Sequence, residues 1–205
     1  MNRDTVFVFD LDGTVTEQEI LPVLGAVAGL EQELARLTAL TLTGAINFKQ
    51  SFHQRFHMLR HLPLERVKAA MTAIPLNPHI EAFIVAHREQ CVLATGNLDR
   101  WIQPLLERLG SACYCSTSRL EPESKLELVS ILDKGKAIRD LRASRPDIKR
   151  VVAVGESVND LPMFHHSDIC IAFGGVHEPV PEVLQIADHV VYEGRALCQL
   201  LLKLT

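Results

Sequence analysis

The sequence predicts an α/β fold, a three-layer and mostly parallel sheet carrying a helical insert directly after its first strand. Three observations predict it. Short apolar runs rich in β-favouring residues alternate with helical patterns through most of the chain. The first run, Val6 to Phe9, stops abruptly at Asp10-Leu11-Asp12-Gly13-Thr14, two carboxylates followed by turn chemistry. From Thr16 to Ile74 there is no strand pattern, only amphipathic helical periodicity.

The elements follow in order. Strands are expected at Val6 to Phe9, Cys91 to Ala94, Val151 to Val154, Ile169 to Ala172 and His189 to Val191. Helices are expected between most of them, at His79 to Arg88, Asp99 to Arg108, Lys136 to Arg142 and Arg195 to Lys203. That alternation implies right-handed crossovers and a Rossmann-like sheet. Within the insert, helical patterns run over Leu34 to Leu42, Phe48 to Leu59 and Leu64 to Met71, with breaks at Gly44 and Pro63. Leu76-Asn77-Pro78 reads as the returning hinge. The expected division is a catalytic core of 1–15 and 76–205 with a helical cap of 16–75 standing over the sheet's active edge. Alternating residues around Pro122-Glu123-Ser124 suggest a small β-hairpin between Arg119 and Val129.

Bulk composition narrows the function. The chain has 205 residues, 47% of them hydrophobic, enough for a packed core. A net charge of −4 leaves no electrostatic footprint for nucleic acid or an anionic membrane. No apolar run approaches the roughly 18 residues of a membrane span, and no charged-then-apolar leader precedes the first strand. The five cysteines form no CxxC pair, and buried free thiols in a reducing compartment are the expectation. A cytoplasmic protein, monomeric or homodimeric, follows.

The chemistry starts at the first strand's end. Residues i and i+2 leave a strand on the same side, so Asp10 and Asp12 converge at its C-terminal edge, where open α/β sheets bind ligands. Two close carboxylates repel unless a cation lies between them, and a hard metal with oxygen ligands is implied. Three more segments follow: Leu93-Ala94-Thr95-Gly96-Asn97, Lys134-Gly135-Lys136, and Val154-Gly155-Glu156-Ser157-Val158-Asn159-Asp160 leading into Leu161-Pro162-Met163-Phe164. In that order, the four segments resemble the four motifs of the haloacid-dehalogenase-like hydrolase superfamily, over nearly the whole chain.

The resemblance implies a phosphomonoester hydrolase. Asp10 would attack phosphorus and form an aspartyl-phosphate, Asp12 would serve as acid and then base, and Thr95 and Lys134 would hold the phosphoryl oxygens. Lys125 and Lys136 are rivals for the phosphate lysine. Mg2+ is the implied cofactor, with Asp10, Asp12 through its backbone carbonyl, Glu156 and Asp160 as ligands. Glu156 stands where relatives usually have aspartate, and it ligates either directly or through water. Asn159 matches the asparagine beside the family's second acidic position.

The insert resembles that of phosphoserine phosphatase and its relatives. Glu19 matches the position that meets a substrate ammonium, and Phe48 an apolar wall of the pocket. Arg55 matches the arginine for a substrate carboxylate, which its bidentate fork suits. With Thr95, Gly96, Asn97, Lys134 and Asn159 these residues form the expected substrate site, for phosphoserine or a related small phosphorylated amino acid. Asn97 replaces a usual glycine, and Leu42 a common methionine. A phosphotransferase on the same site, or a weakly active phospho-switch module, would share the aspartyl intermediate. A dehalogenase would lack an acid like Asp12. His53, His57 and His61 share a cap face at i, i+4, i+8, which reads as a polar stripe or a divalent-metal face.

Overall fold

In the computed structural model of the chain, the described residues are 4–42, 45–122 and 125–204. The expected breaks at Gly44 and at Glu123-Ser124 lie outside them, as does the side chain of Leu42. The described residues form one seven-stranded sheet in the order β4-β3-β2-β1-β5-β6-β7. Its strands are β1 (Thr5–Phe9), β2 (Cys91–Leu98), β3 (Ala112–Leu120), β4 (Leu126–Ser130), β5 (Arg150–Gly155), β6 (Ile169–Phe173) and β7 (His189–Val191). All neighbours are parallel except β3 and β4, the two arms of the hairpin.

The helices are α1 (Ile20–Ala28), α2 (Glu31–Leu42), α3 (Phe48–Leu59), α4 (Leu64–Ala73), α5 (Pro78–Ala86), α6 (Asp99–Leu109), α7 (Lys134–Ser144), α8 (Leu161–Phe164), α9 (Pro181–Ile186) and α10 (Gly194–Lys203). The first four lie between β1 and α5, α5 to α9 return the chain from one strand to the next, and α10 follows the last strand.

Strand alternation builds the three layers. Phe7 and Phe9 face one side of β1, with Val152, Val154, Ile171 and Phe173 of the neighbouring strands beside them. Val6 and Val8 face the other side, with Val151, Ala153, Cys170 and Ala172. A period of two thus divides one apolar strand between two cores, which is why these runs read as continuously hydrophobic. The first core extends into the insert through Leu24, Phe52, Phe56 and Met71. Phe56 of α3 packs on Trp101 of α6 at 6.3 Å between ring centres.

The two strands of chain that join the insert to the sheet lie side by side. Thr16 and Leu76 form an antiparallel bridge, Glu17 N–H donates to Pro75 O at 2.9 Å, and Asn77 N–H donates to Val15 O at 2.9 Å.

Candidate active site

The site gathers at the C-terminal edge of β1, β2 and β5. β1 is central, so Asp10 leaves it between two parallel neighbours, and its N–H donates to Val154 O at 2.9 Å. Gly13 follows at φ +71°, a left-handed turn that reverses the chain. A Cβ there would lie 3.0 Å from His177, 3.4 Å from Glu156 and 3.5 Å from Glu19. The glycine is the floor on which those three side chains meet.

Lys134, the first residue of α7, extends into the edge and is 3% exposed. Its Nζ donates to Asp10 Oδ1 and to Asp160 Oδ1, each at 2.5 Å. Burial opposes the ammonium's charge, but the two carboxylates outweigh it and hold the lysine above its usual range. Lys136 is instead exposed and paired with Asp140, and Lys125 sits on the hairpin, so neither rival reaches Asp10.

Asp160 is fully buried and its Oδ2 is saturated. It accepts from Glu156 N at 3.0 Å, Ser157 N at 2.8 Å and Ser157 Oγ at 3.0 Å. With Lys134 on the other oxygen, Asp160 braces the loop after β5. Glu156 Oε2 accepts from the Thr14 hydroxyl at 2.6 Å. Thr14 and Ser157 are contacts that sequence reasoning missed. Their hydroxyls carry no spacing signal.

Asp10, Glu156 and Asp160 each offer a carboxylate oxygen within 4.8 Å of the others. Burial first, then neighbouring charge, pushes Asp10 up to about 7 and Glu156 up to about 10. Lys134 alone does not offset three buried carboxylates, and an all-oxygen donor set suits a hard divalent cation. The residues present fit such an ion. With Asp160 already engaged on both oxygens, Asp10 and the longer Glu156 are the freer ligands. The Asp12 side chain points away from this group.

Asp12 turns toward the insert. Its Oδ1 accepts from Ile20 N at 2.9 Å and its Oδ2 from Asn97 Nδ2 at 2.5 Å. Burial and then the charge of Glu19 push it up to about 7, against those two donors. Asn97 reaches it because β2 is irregular. Thr95 pairs with Cys115, the register then shifts, and Leu98 pairs with Ser116. A bulge of this kind re-aims a side chain out of the ladder. Thr95 Oγ accepts from Asn97 N and Asn97 Nδ2, each at 3.1 Å. Both lone pairs are occupied, so its O–H is left to donate outward.

The insert closes the edge. Phe48 stands over Gly96, where a Cβ would lie 2.9 Å from the ring and 3.7 Å from Asn159 Nδ2. Only a glycine leaves that approach open. Arg55 donates to Thr38 at 2.9 Å, while its Nε is buried with no hydrogen-bond partner among the described residues. Burial lowers the guanidinium's pKa, and Glu19 and Asp12 push it back up. Glu19 Oε1 meets His177 Nε2, from the loop after β6, at 2.9 Å. Nothing in the sequence assigned His177 a partner, since the two residues are far apart along the chain.

His53 and His57 face away from this edge. With Arg60, Glu121, Lys125 and Glu127 they line a separate cleft of about 590 Å³ between α3 and the hairpin. Among the described residues they join no group of three metal-ligating side chains.

The sequence model of the haloacid dehalogenase-like hydrolases matches residues 7–165, and the chain belongs to that family. Among curated relatives, the phosphoserine phosphatase of Methanocaldococcus jannaschii is 26% identical over 181 residues, covering 83% of this chain and 86% of the relative. The phosphoserine phosphatase of Mycobacterium tuberculosis is 26% identical over 194 residues, covering 89% of this chain, which spans 46% of that relative. A solved phospho-aspartyl intermediate analogue of phosphoserine phosphatase superposes with a TM-score of 0.78 at 25% identity, over 95% of this chain and 97% of the other. A HAD-family hydrolase of Salmonella enterica serovar Typhi gives 0.83 at 22% identity, over 95% and 69%. Among the described residues, no helix is long and apolar enough to cross a membrane.

Proposed function

We propose that the chain is a Mg2+-dependent phosphomonoester hydrolase acting through Asp10 on a small metabolite, phosphoserine or a related phosphorylated amino acid. The observation that carries the reading is the pairing of two carboxylates with opposite surroundings. Asp10 is fixed by Lys134 at the sheet edge, while Asp12 is held apart from it by Ile20 N–H and Asn97. One is placed to attack and the other to exchange a proton.

Asp10 Oδ attacks phosphorus and the ester P–O bond breaks. Asp12, with a pKa near neutrality, gives its proton to the leaving oxygen. Water then attacks the aspartyl-phosphate, Asp12 takes the proton back, and the acyl phosphate P–O bond breaks to free Asp10. Lys134 and the outward Thr95 O–H neutralise charge on the phosphoryl oxygens, where placement matters more than covalent help. Asp10, Glu156 and the Asp12 carbonyl, with Asp160 bracing the Glu156 loop, would hold Mg2+, which would supply the positive charge that lets these buried acids ionise together. Arg55 and Glu19 face the substrate's carboxylate and amine, Phe48 covers its carbon chain, and Asn159 lies beside Gly96.

In this reading residues 16–75 act as a cap on the core of 1–15 and 76–205. The five free cysteines support a reducing, cytoplasmic setting. The test is phosphate release with and without Mg2+ across small phosphomonoesters, with Asp10→Asn beside the parent. We expect Mg2+-dependent release and a covalent phosphate on Asp10, both lost in the variant, which keeps its fold. Undiminished turnover in Asp10→Asn would overturn the reading.

A further inference from the structure

Asn97 carries a hydrogen-bonding demand that no described residue meets. It is 3% exposed, at the bulge of β2. Its Nδ2 donates to Asp12 Oδ2 at 2.5 Å and to Thr95 Oγ at 3.1 Å. With the NH2 end serving both Asp12 Oδ2 and Thr95 Oγ, the amide presents Oδ1 as an acceptor. Among the described residues Oδ1 has no hydrogen-bond partner. An unmatched buried carbonyl is rare in a folded protein and costs stability unless something pairs with it. A glycine or serine at this place would avoid the cost.

The neighbours say where the missing donor comes from. Asn97 is one hydrogen bond from Asp12, the residue that protonates the leaving oxygen, so its amide lies close to the carbon end of the ester. Across the site, Glu19 already spends one oxygen on His177. We propose that Asn97 is a specificity-determining residue whose Oδ1 receives an N–H or O–H on the carbon adjoining the esterified carbon of the substrate. The chemical class is a phosphomonoester with a vicinal amine or hydroxyl. This inference rests on the phosphomonoesterase reading and narrows it. A substrate lacking the donor leaves Oδ1 unpaired in the bound state, and sites built to hydrogen-bond a substrate group reject the analogue without it.

The experiment compares kcat/KM for O-phosphoserine, 3-phosphoglycerate and 3-phosphonooxypropanoate. They carry an amine, a hydroxyl and no donor at the same carbon. p-Nitrophenyl phosphate serves as a reference ester. Parent, Asn97→Ala and Asn97→Gly are measured, with circular dichroism to confirm folding. Discrimination is a ratio within each variant, so a general loss of activity does not affect it. We expect both donor-bearing esters to exceed the donor-free one in the parent, and both variants to shrink that margin by roughly ten- to a hundredfold. A margin unchanged within about twofold in both variants, with phosphate still released, overturns the assignment to Asn97 and leaves the phosphatase reading standing. No release from any ester, p-nitrophenyl phosphate included, overturns the phosphatase reading and this inference with it.

Discussion

At the scale of single residues, the site is dominated by buried acids around one buried cation. Asp10 and Asp12 are pushed up to about 7 and Glu156 up to about 10. A carboxyl whose folded pKa is raised holds its proton more tightly in the native state than in the unfolded chain. Its contribution is therefore fully present below the unfolded value of about 4 and is lost as pH climbs toward the folded value. The metal-free protein is expected to lose stability between pH 5 and pH 9. Cation binding needs these groups ionised, so Mg2+ is expected to raise the melting temperature more at pH 8 than at pH 5. Equal gains at both pH values in a thermal melt would show that the acids do not hold the ion. The residues that gather at this edge were legible because their types are rare together: two aspartates at i, i+2 after an apolar strand, a lysine opening a helix, an acidic loop after a strand. Asn97's contact with Asp12 was not legible. It depends on a register shift in β2, and a one-residue irregularity leaves no trace in a hydrophobic pattern.

At the scale of elements, α3 matters most, because it places both Phe48 and Arg55. Its start is defined by a capping box in which Asn47 accepts from Gln50 N–H at 2.9 Å and the Gln50 side chain accepts from Asn47 N–H at 3.3 Å. Asn47→Ala is expected to cost about 1 kcal/mol of stability, read from denaturant unfolding, without touching the chemistry at Asp10. No change in the unfolding midpoint would mean that the cap contributes nothing there. The helix was readable from end to end because its apolar positions recur at helical spacing and its cap is local. α1 was not readable. Its sequence Ile-Leu-Pro-Val-Leu-Gly-Ala-Val-Ala holds a proline and a glycine, has no polar face, and starts at Glu19 without a side-chain cap. Packing of Ile20, Leu24 and Gly25 makes it a helix, and Gly29 at φ +69° ends it. β3 was legible only at its Arg119 end, through the expected hairpin, since most of the strand is at best half-buried and carries no clean apolar alternation.

At the scale of the whole molecule, the insert and the sheet share one continuous apolar core, with Leu24, Phe52 and Met71 in the same cluster as Phe7, Phe9 and Trp101. Trp101 is the sole tryptophan of the chain and packs against Phe56 of α3. Its fluorescence therefore reports the seam between insert and sheet, while circular dichroism reports helices everywhere. The two unfolding curves are expected to coincide, as for a single cooperative unit. A fluorescence change that precedes the loss of helix would show the seam opening first. The paired connections at Thr16 and Leu76 have an evolutionary consequence as well. The polypeptide departs and returns at neighbouring points, so one helical lobe can be exchanged for another of different size or polarity while the strand that ends at Asp10 keeps its aim. Contacts made by that lobe can thus drift without disturbing the edge, whereas a residue of the sheet itself, such as Asn97 on β2, stays tied to the reacting carboxylates.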